Sequence, residues 1–131
     1  MTASAQVLPL LVFEAADCLM AVTASEIAQL EKQGRYCNRR RFLDLDEYFA
    51  GRESGGPWLH WARGPQSVWL RVRRVIDVVP VALSVLTPLP AILTASQQSR
   101  PFVAAGLRGD DVFLLLDPAR LCAERFGEAG P

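Results

Sequence analysis

A single histidine, His60, sets the first limit on the chemistry open to this chain. Two-histidine metal ligation is excluded at once. As a general base His60 needs a nucleophile and an orienting carboxylate, and Asp77 or a distant serine is what the sequence offers, with no GxSxG elbow to present a serine. Its setting, Trp58-Leu59-His60-Trp61, alternates like a strand and suggests a residue exposed at a sheet edge. Cys18, Cys37 and Cys122 are odd in number and far from any CxxC spacing. They signal neither zinc nor a disulfide framework, and read as buried or half-buried thiols of a reducing cytoplasm. The carboxylate pairs Asp44/Asp46 and Asp110/Asp111 sit where a helix cap or a turn already explains them. The glycines form neither GxxxxGK[ST] nor GxGxxG, so no phosphate cradle is present. The residues point to no enzyme, with catalytic residues, metal and cofactor all expected to be none.

Binding chemistry is the next possibility. Gln33 to Arg41 carries Arg35, Arg39, Arg40 and Arg41 around Tyr36, the mixture of cations and aromatics that a single-stranded nucleic acid reader uses. The whole chain, however, balances fourteen basic against fourteen acidic residues. It has no net field to attract phosphate, and a charge run also serves to blunt a strand edge. Nucleic acid is therefore not expected as a partner. A small β-barrel binding nucleic acid or a small ligand through Arg35–Arg41 and Trp58, Trp61 and Trp69 stands as the competing reading. The tryptophans suit core or interface anchors, and Trp69, alternating with Arg71, is placed against a partner or a neighbouring subdomain. The apolar run Val7 to Phe13 is closed by Glu14 and Asp17 well short of a membrane span, so no direct membrane insertion is expected.

The elements that must position these residues are mainly strands. At 131 residues the chain has room for one domain. Val7–Phe13 and Leu19–Val22 form a hairpin, and Ser25 to Glu31 reads as a helical turn or an irregular connection. Asp44 and Glu47 mark a single helical turn through Tyr48 and Phe49 that ends near Gly51. The 51–57 loop is the expected subdomain boundary. Trp58–Ala62 and Val68–Val79 are strands joined across Arg63, Gly64 and Pro65, with a bulge near Arg73 and Arg74 to relieve the misfit of Arg74 on an apolar face. Leu83 to Leu93, interrupted by Pro88 and Pro90, is a packed extended connection. Phe102–Leu107 and Val112–Leu116 form a second hairpin, whose all-apolar second strand must be covered on both faces. A helix from Pro118 to Phe126 follows, capped by Asp117 and ended by Gly127, with Leu121 and Phe126 facing the sheet.

Four stretches together resemble a chemotaxis coupling protein, the CheW-like domain. LVFEAADCLMAVTASEIAQL, residues 11–30, resembles that family's opening strands. VWLRVRRVIDVV, residues 68–79, resembles its G-hydrophobic-hydrophobic-V-D-x-V strand, with Trp69 where glycine is usual and Arg73 where aspartate is usual. Leu86 to Pro90 resembles its PLP connection. Phe102 to Leu121 resembles its closing glycine, strand and L-D-x-x-x-L, with Ala104 in place of the first glycine. The family's usual strand and N-L-R-G turn have only Gln33 to Leu43 to occupy here.

The resemblance implies an all-β fold of two small SH3-like five-stranded barrels over residues 1–131, the first one trimmed. It implies a non-catalytic adaptor in chemotaxis-type two-component signalling, with the regulatory domain of a CheA-type histidine kinase and the cytoplasmic tip of a chemoreceptor as partners. Ile27 and Gln29, with Leu30 beside them, match positions that look toward the receptor. Val75 and Val78 match positions in the groove between subdomains, and Trp69 completes the protein-binding set. Val75 shares a face with Arg71, Arg73 and Asp77, so it is exposed unless something covers it.

Overall fold

Short apolar runs punctuated by turn residues fold into two sheets. The structure is a computed structural model and describes residues 6–32, 41–89 and 101–127. β1 (Val7–Ala15) turns into β2 (Cys18–Thr23) through Ala16 and Asp17, both at positive φ (52° and 63°), the backbone handedness that a two-residue hairpin loop needs. A 3-10 turn, Ala24–Glu26, leads into β3 (Ile27–Glu31); β4 (Phe42–Asp44) then runs directly into helix α1 (Leu45–Ala50). The hairpin of β5 (Trp58–Arg63) and β6 (Gln66–Arg71) follows, then β7 (Arg74–Ala82), a 3-10 turn at Leu83–Val85 and β8 (Thr87–Pro88). β9 (Phe102–Arg108), β10 (Asp111–Leu116) and helix α2 (Pro118–Phe126) close the described chain.

The first sheet has the order β7-β1-β2-β10-β9-β8 and the second β3-β5-β6-β4. The fold is all-β with two short helices. Leu11, Phe13 and Val22 from the first sheet meet Leu59, Trp61, Val68 and Leu70 from the second in one shared core, to which α2 adds Leu121 and Cys122. Alternate residues of the first sheet, Leu10, Val12, Ala21, Val81 and Phe113, form a smaller core on its other face. β10 feeds both cores, Leu116 one and Phe113 the other, but Val112 at its start is 58% exposed, so the expected cover on both faces holds only from Phe113 onward.

Both helices begin and end where cap chemistry places them. Asp44 accepts from the Asp46 and Glu47 amides and Gly51 ends α1 in the left-handed region at φ 78°; Asp117 accepts from the Ala119 amide and Gly127 ends α2 at φ 68°.

Several expectations change. Ile27–Glu31 is a strand, because its backbone pairs with β5 although a bulge breaks its alternation. Residues 68–79 are two strands in two sheets: the chain leaves the second sheet at Val72, whose N–H bonds to Pro57 O, and joins the first at Arg73, whose N–H bonds to Glu14 O. The bulge expected near Arg73 and Arg74 lies at Ile76, the residue skipped where β7 pairs with Val12 and Phe13. The 51–57 loop joins α1, which follows β4, to β5, and both strands belong to the second sheet, so the chain crosses between the sheets elsewhere. The described strands divide six and four between the sheets. Leu83 and Val85 are exposed rather than packed, held in a turn by Leu86 N–H to Leu83 O. Phe126 is also exposed; the Arg41 guanidinium, 4.9 Å from its ring centroid, rather than the sheet, stands over it.

Candidate functional site

Two sheet edges face each other. β3 is an edge of the second sheet and β7 an edge of the first, and between them lies a groove of about 350 Å³ lined by Leu30, Lys32, Pro57, Arg74 and Val75. Each wall contains one bulge. In β3, Ile27 pairs with Trp61 and Gln29 with His60, so Ala28 is the extra residue; in β7 it is Ile76. A bulge shifts the alternation by one residue. Ile27 and Leu30, three apart, therefore share the face of Trp61 and Leu59, while Val75 and Val78, also three apart, share the face of Phe13 and Leu11. Four of the six expected residues thus turn toward the space between the sheets, and Leu30 and Val75 line the same groove.

They are not equally free. Leu30 is 40% exposed and Val78 51%. Ile27 and Val75 are half-buried and pack against the shared core, which is what covers Val75 in part. Gln29 is exposed on β3, in register with His60 on the second sheet's outer face. Trp69 lies on that outer face too, away from the groove. It is 8% exposed, and its ring stacks on His60 with centroids 4.5 Å apart and planes 10° apart. Contacts within the domain explain its burial. His60 is likewise not at an edge, since β5 lies between β3 and β6.

The tryptophans do not form an open stacking platform. Trp61 is fully buried in the shared core and Trp58 is 4% exposed, with Phe42 edge-on to its ring and Arg71 over it. Arg35 to Arg40 and Cys37 lie outside the described residues. Cys122 is buried and Cys18 exposed, the latter beside a smaller apolar cavity of about 210 Å³ with Ala16, Met20, Phe49, Phe102 and Leu114. Among the described residues no helix is long and apolar enough to cross a membrane.

The chain matches no protein-family model and no curated protein sequence. Its fold, however, is known. The crystal structure of the scaffolding protein TtCheW from Thermoanaerobacter tengcongensis superposes with a TM-score of 0.66, over 85% of this chain and 89% of that one, at 14% sequence identity. The chain has a CheW-like fold.

Two polar networks lock this CheW-like fold around the groove, and sequence reading identified neither. Asp46 is fully buried; one carboxylate oxygen accepts the Ala16 N–H at 2.8 Å and the other the Arg73 guanidinium at 2.7 Å. It ties α1 to the β1–β2 turn and to the crossover between sheets. Arg74, next along the chain, pairs with Glu14 at 2.9 Å on the rim of the groove. Glu26 accepts from Trp61 Nε1 and from Arg63, whose fork and positive charge hold its carboxyl below the usual value despite partial burial. Gly56 is placed by close approach: a Cβ there would stand 2.1 Å from Val72 O. Only glycine lets the loop before Pro57 lie against the crossover.

The groove thus combines the aliphatic side chains of Leu30 and Val75 with a cation on either wall, Lys32 and the Glu14-paired Arg74.

Proposed function

We propose that this protein is a non-catalytic cytoplasmic adaptor of the chemotaxis type, and that the groove between β3 and β7 is one of its docking surfaces. Its partners in this reading are the regulatory domain of a CheA-type histidine kinase and the cytoplasmic tip of a chemoreceptor. One observation carries the reading: in a CheW-like fold, Leu30 and Val75 reach a single groove from the open edges of two different sheets. Two independent sheets supply its walls, so an aliphatic anchor seated there contacts both.

Charge insertion tests it. Leu30→Asp places an unpaired carboxylate in the proposed interface while removing little from the free domain's core. Binding to a chemoreceptor tip fragment is expected to fall about thirtyfold, the equivalent of losing an anchor worth roughly 2 kcal/mol. Val75→Asp is expected to lose binding and also some melting temperature, because Val75 packs on the shared core. Leu70→Asp, at a fully buried position, supplies the unfolding comparison. If folded Leu30→Asp and Val75→Asp both bind like the parent chain, the groove is not the docking surface. Added salt should weaken this apolar contact only modestly, whereas a phosphate-dependent partner would be lost steeply.

A further inference from the structure

The groove wall formed by β3 has few backbone bonds to fix it. Among the described residues β3 pairs with β5 alone, and the bulge at Ala28 interrupts that pairing one residue after it starts. Side-chain chemistry holds its beginning. Glu26, the last residue of the preceding 3-10 turn, takes Arg63 as a fork, Nε to Oε2 at 2.7 Å and one terminal nitrogen to Oε1 at 3.1 Å, and accepts the buried Trp61 indole N–H at 3.0 Å. On the other side Arg63 reaches Asp117 Oδ1 at 3.3 Å, the same carboxylate oxygen that caps α2. One guanidinium thus joins the chain entering β3, the end of β5 and the start of the C-terminal helix.

We propose that Arg63 is a positioning residue for the groove: through Glu26 it fixes where β3 begins, and with it the position of Leu30 opposite Val75. The inference rests on the docking role proposed for that groove. A planar fork meeting a carboxylate at two points restrains direction as well as distance. The residue it restrains is adjacent to Ile27, the last β3 residue before the bulge. Without the fork, the Glu26 carboxylate keeps the indole contact but loses its two-point restraint, and a five-residue edge strand can shift against β5.

The experiment uses the full chain with Arg63→Met and Glu26→Gln, and with Arg52→Met as the control that breaks the exposed Arg52–Asp17 pair elsewhere. Amide hydrogen exchange of Ala28 to Leu30 is followed in the free protein, and binding of a chemoreceptor tip fragment is measured well below the melting temperature. Both Arg63→Met and Glu26→Gln are expected to speed exchange in β3 about fivefold and to weaken binding about fivefold, the upper end for a partly exposed ion pair, with Arg52→Met changing neither. Glu26→Gln leaves the Arg63–Asp117 contact in place, so it isolates the β3 arm should Arg63→Met fold poorly. Unchanged exchange in β3, faster exchange with unchanged binding, or an equal response to Arg52→Met overturns the proposal. Failure of the groove itself is seen separately, as undiminished binding by Leu30→Asp; the exchange measurement then decides alone whether Arg63 fixes β3.

Discussion

The two sheets share one core but treat their other faces differently. The six-stranded sheet covers its far face with a second aliphatic and aromatic core around Leu10, Val12 and Phe113. The four-stranded sheet instead carries on its outer face a separate pair of buried rings, Trp58 and Trp69, with half-buried His60 stacked on Trp69. A sheet filled on both faces is fixed by side-chain packing, whereas the smaller sheet relies more on its shared face and on polar locks. The groove lies where the free edges of the two kinds of sheet meet.

The largest expected effects test whether the shared core makes the sheets one cooperative unit. Phe13→Ala, from the first sheet, and Leu59→Ala, from the second, remove fully buried side chains and should cost about 3–5 and 2–5 kcal/mol. Each should lower one common transition in thermal or denaturant melts, and a second transition in either variant would separate the sheets energetically. Next in size is Asp46→Ala. It leaves the Arg73 cation and the Ala16 N–H without their buried partner, and a loss of roughly 3 kcal/mol is expected, measurable by urea unfolding; a loss below 1 kcal/mol would mean that the lock is ornamental.

Ala16→Gly should act in the opposite direction. Ala16 sits at φ 52°, where a Cβ is strained, and glycine there should stabilise by up to about 1 kcal/mol in the same assay. The smallest effect concerns Glu26. Its carboxyl is held low by Arg63 and Trp61, so the stabilisation is complete above the ordinary carboxylate value and is lost as pH falls through the lowered one. Melting temperatures of the parent chain and Glu26→Gln should therefore differ near neutrality and converge in acid. A gap that widens on acidification would contradict the assigned pairing.

What was legible in the sequence was local. Asp117, Pro118 and Gly127 bracket α2, and Asp44 and Gly51 bracket α1, because cap chemistry acts within a few residues. The hairpins were likewise legible from their turns. β3 was not, since the bulge at Ala28 puts Ile27 and Leu30 on one face at a spacing that mimics a helical turn. The break at Val72–Arg73 was hidden for a different reason: β6 and β7 are both extended, and only their partners in space reveal that they belong to different sheets. Asp46 looked like a spare first-turn carboxylate, yet its bonds reach Ala16 and Arg73, about thirty residues away on either side, beyond what a pattern can report. Of the candidate site, the aliphatic residues emerged from the resemblance; Lys32, Pro57 and the Glu26–Arg63 anchor needed the fold.

The parallel pairing of β10 with β2 has a further consequence, for the order of assembly. β1 and β2 pair through a two-residue turn, whereas both outer edges of that hairpin are covered by strands remote in sequence, β7 on one side and β10 on the other. The second sheet lies between them in sequence, an excursion of the chain that those pairings must span. Closing contacts across so long a separation is slow, and an apolar hairpin with two free edges is the species most exposed to wrong pairing meanwhile. Faster closure of the C-terminal hairpin should thus improve the yield of refolded protein even where it leaves equilibrium stability unchanged.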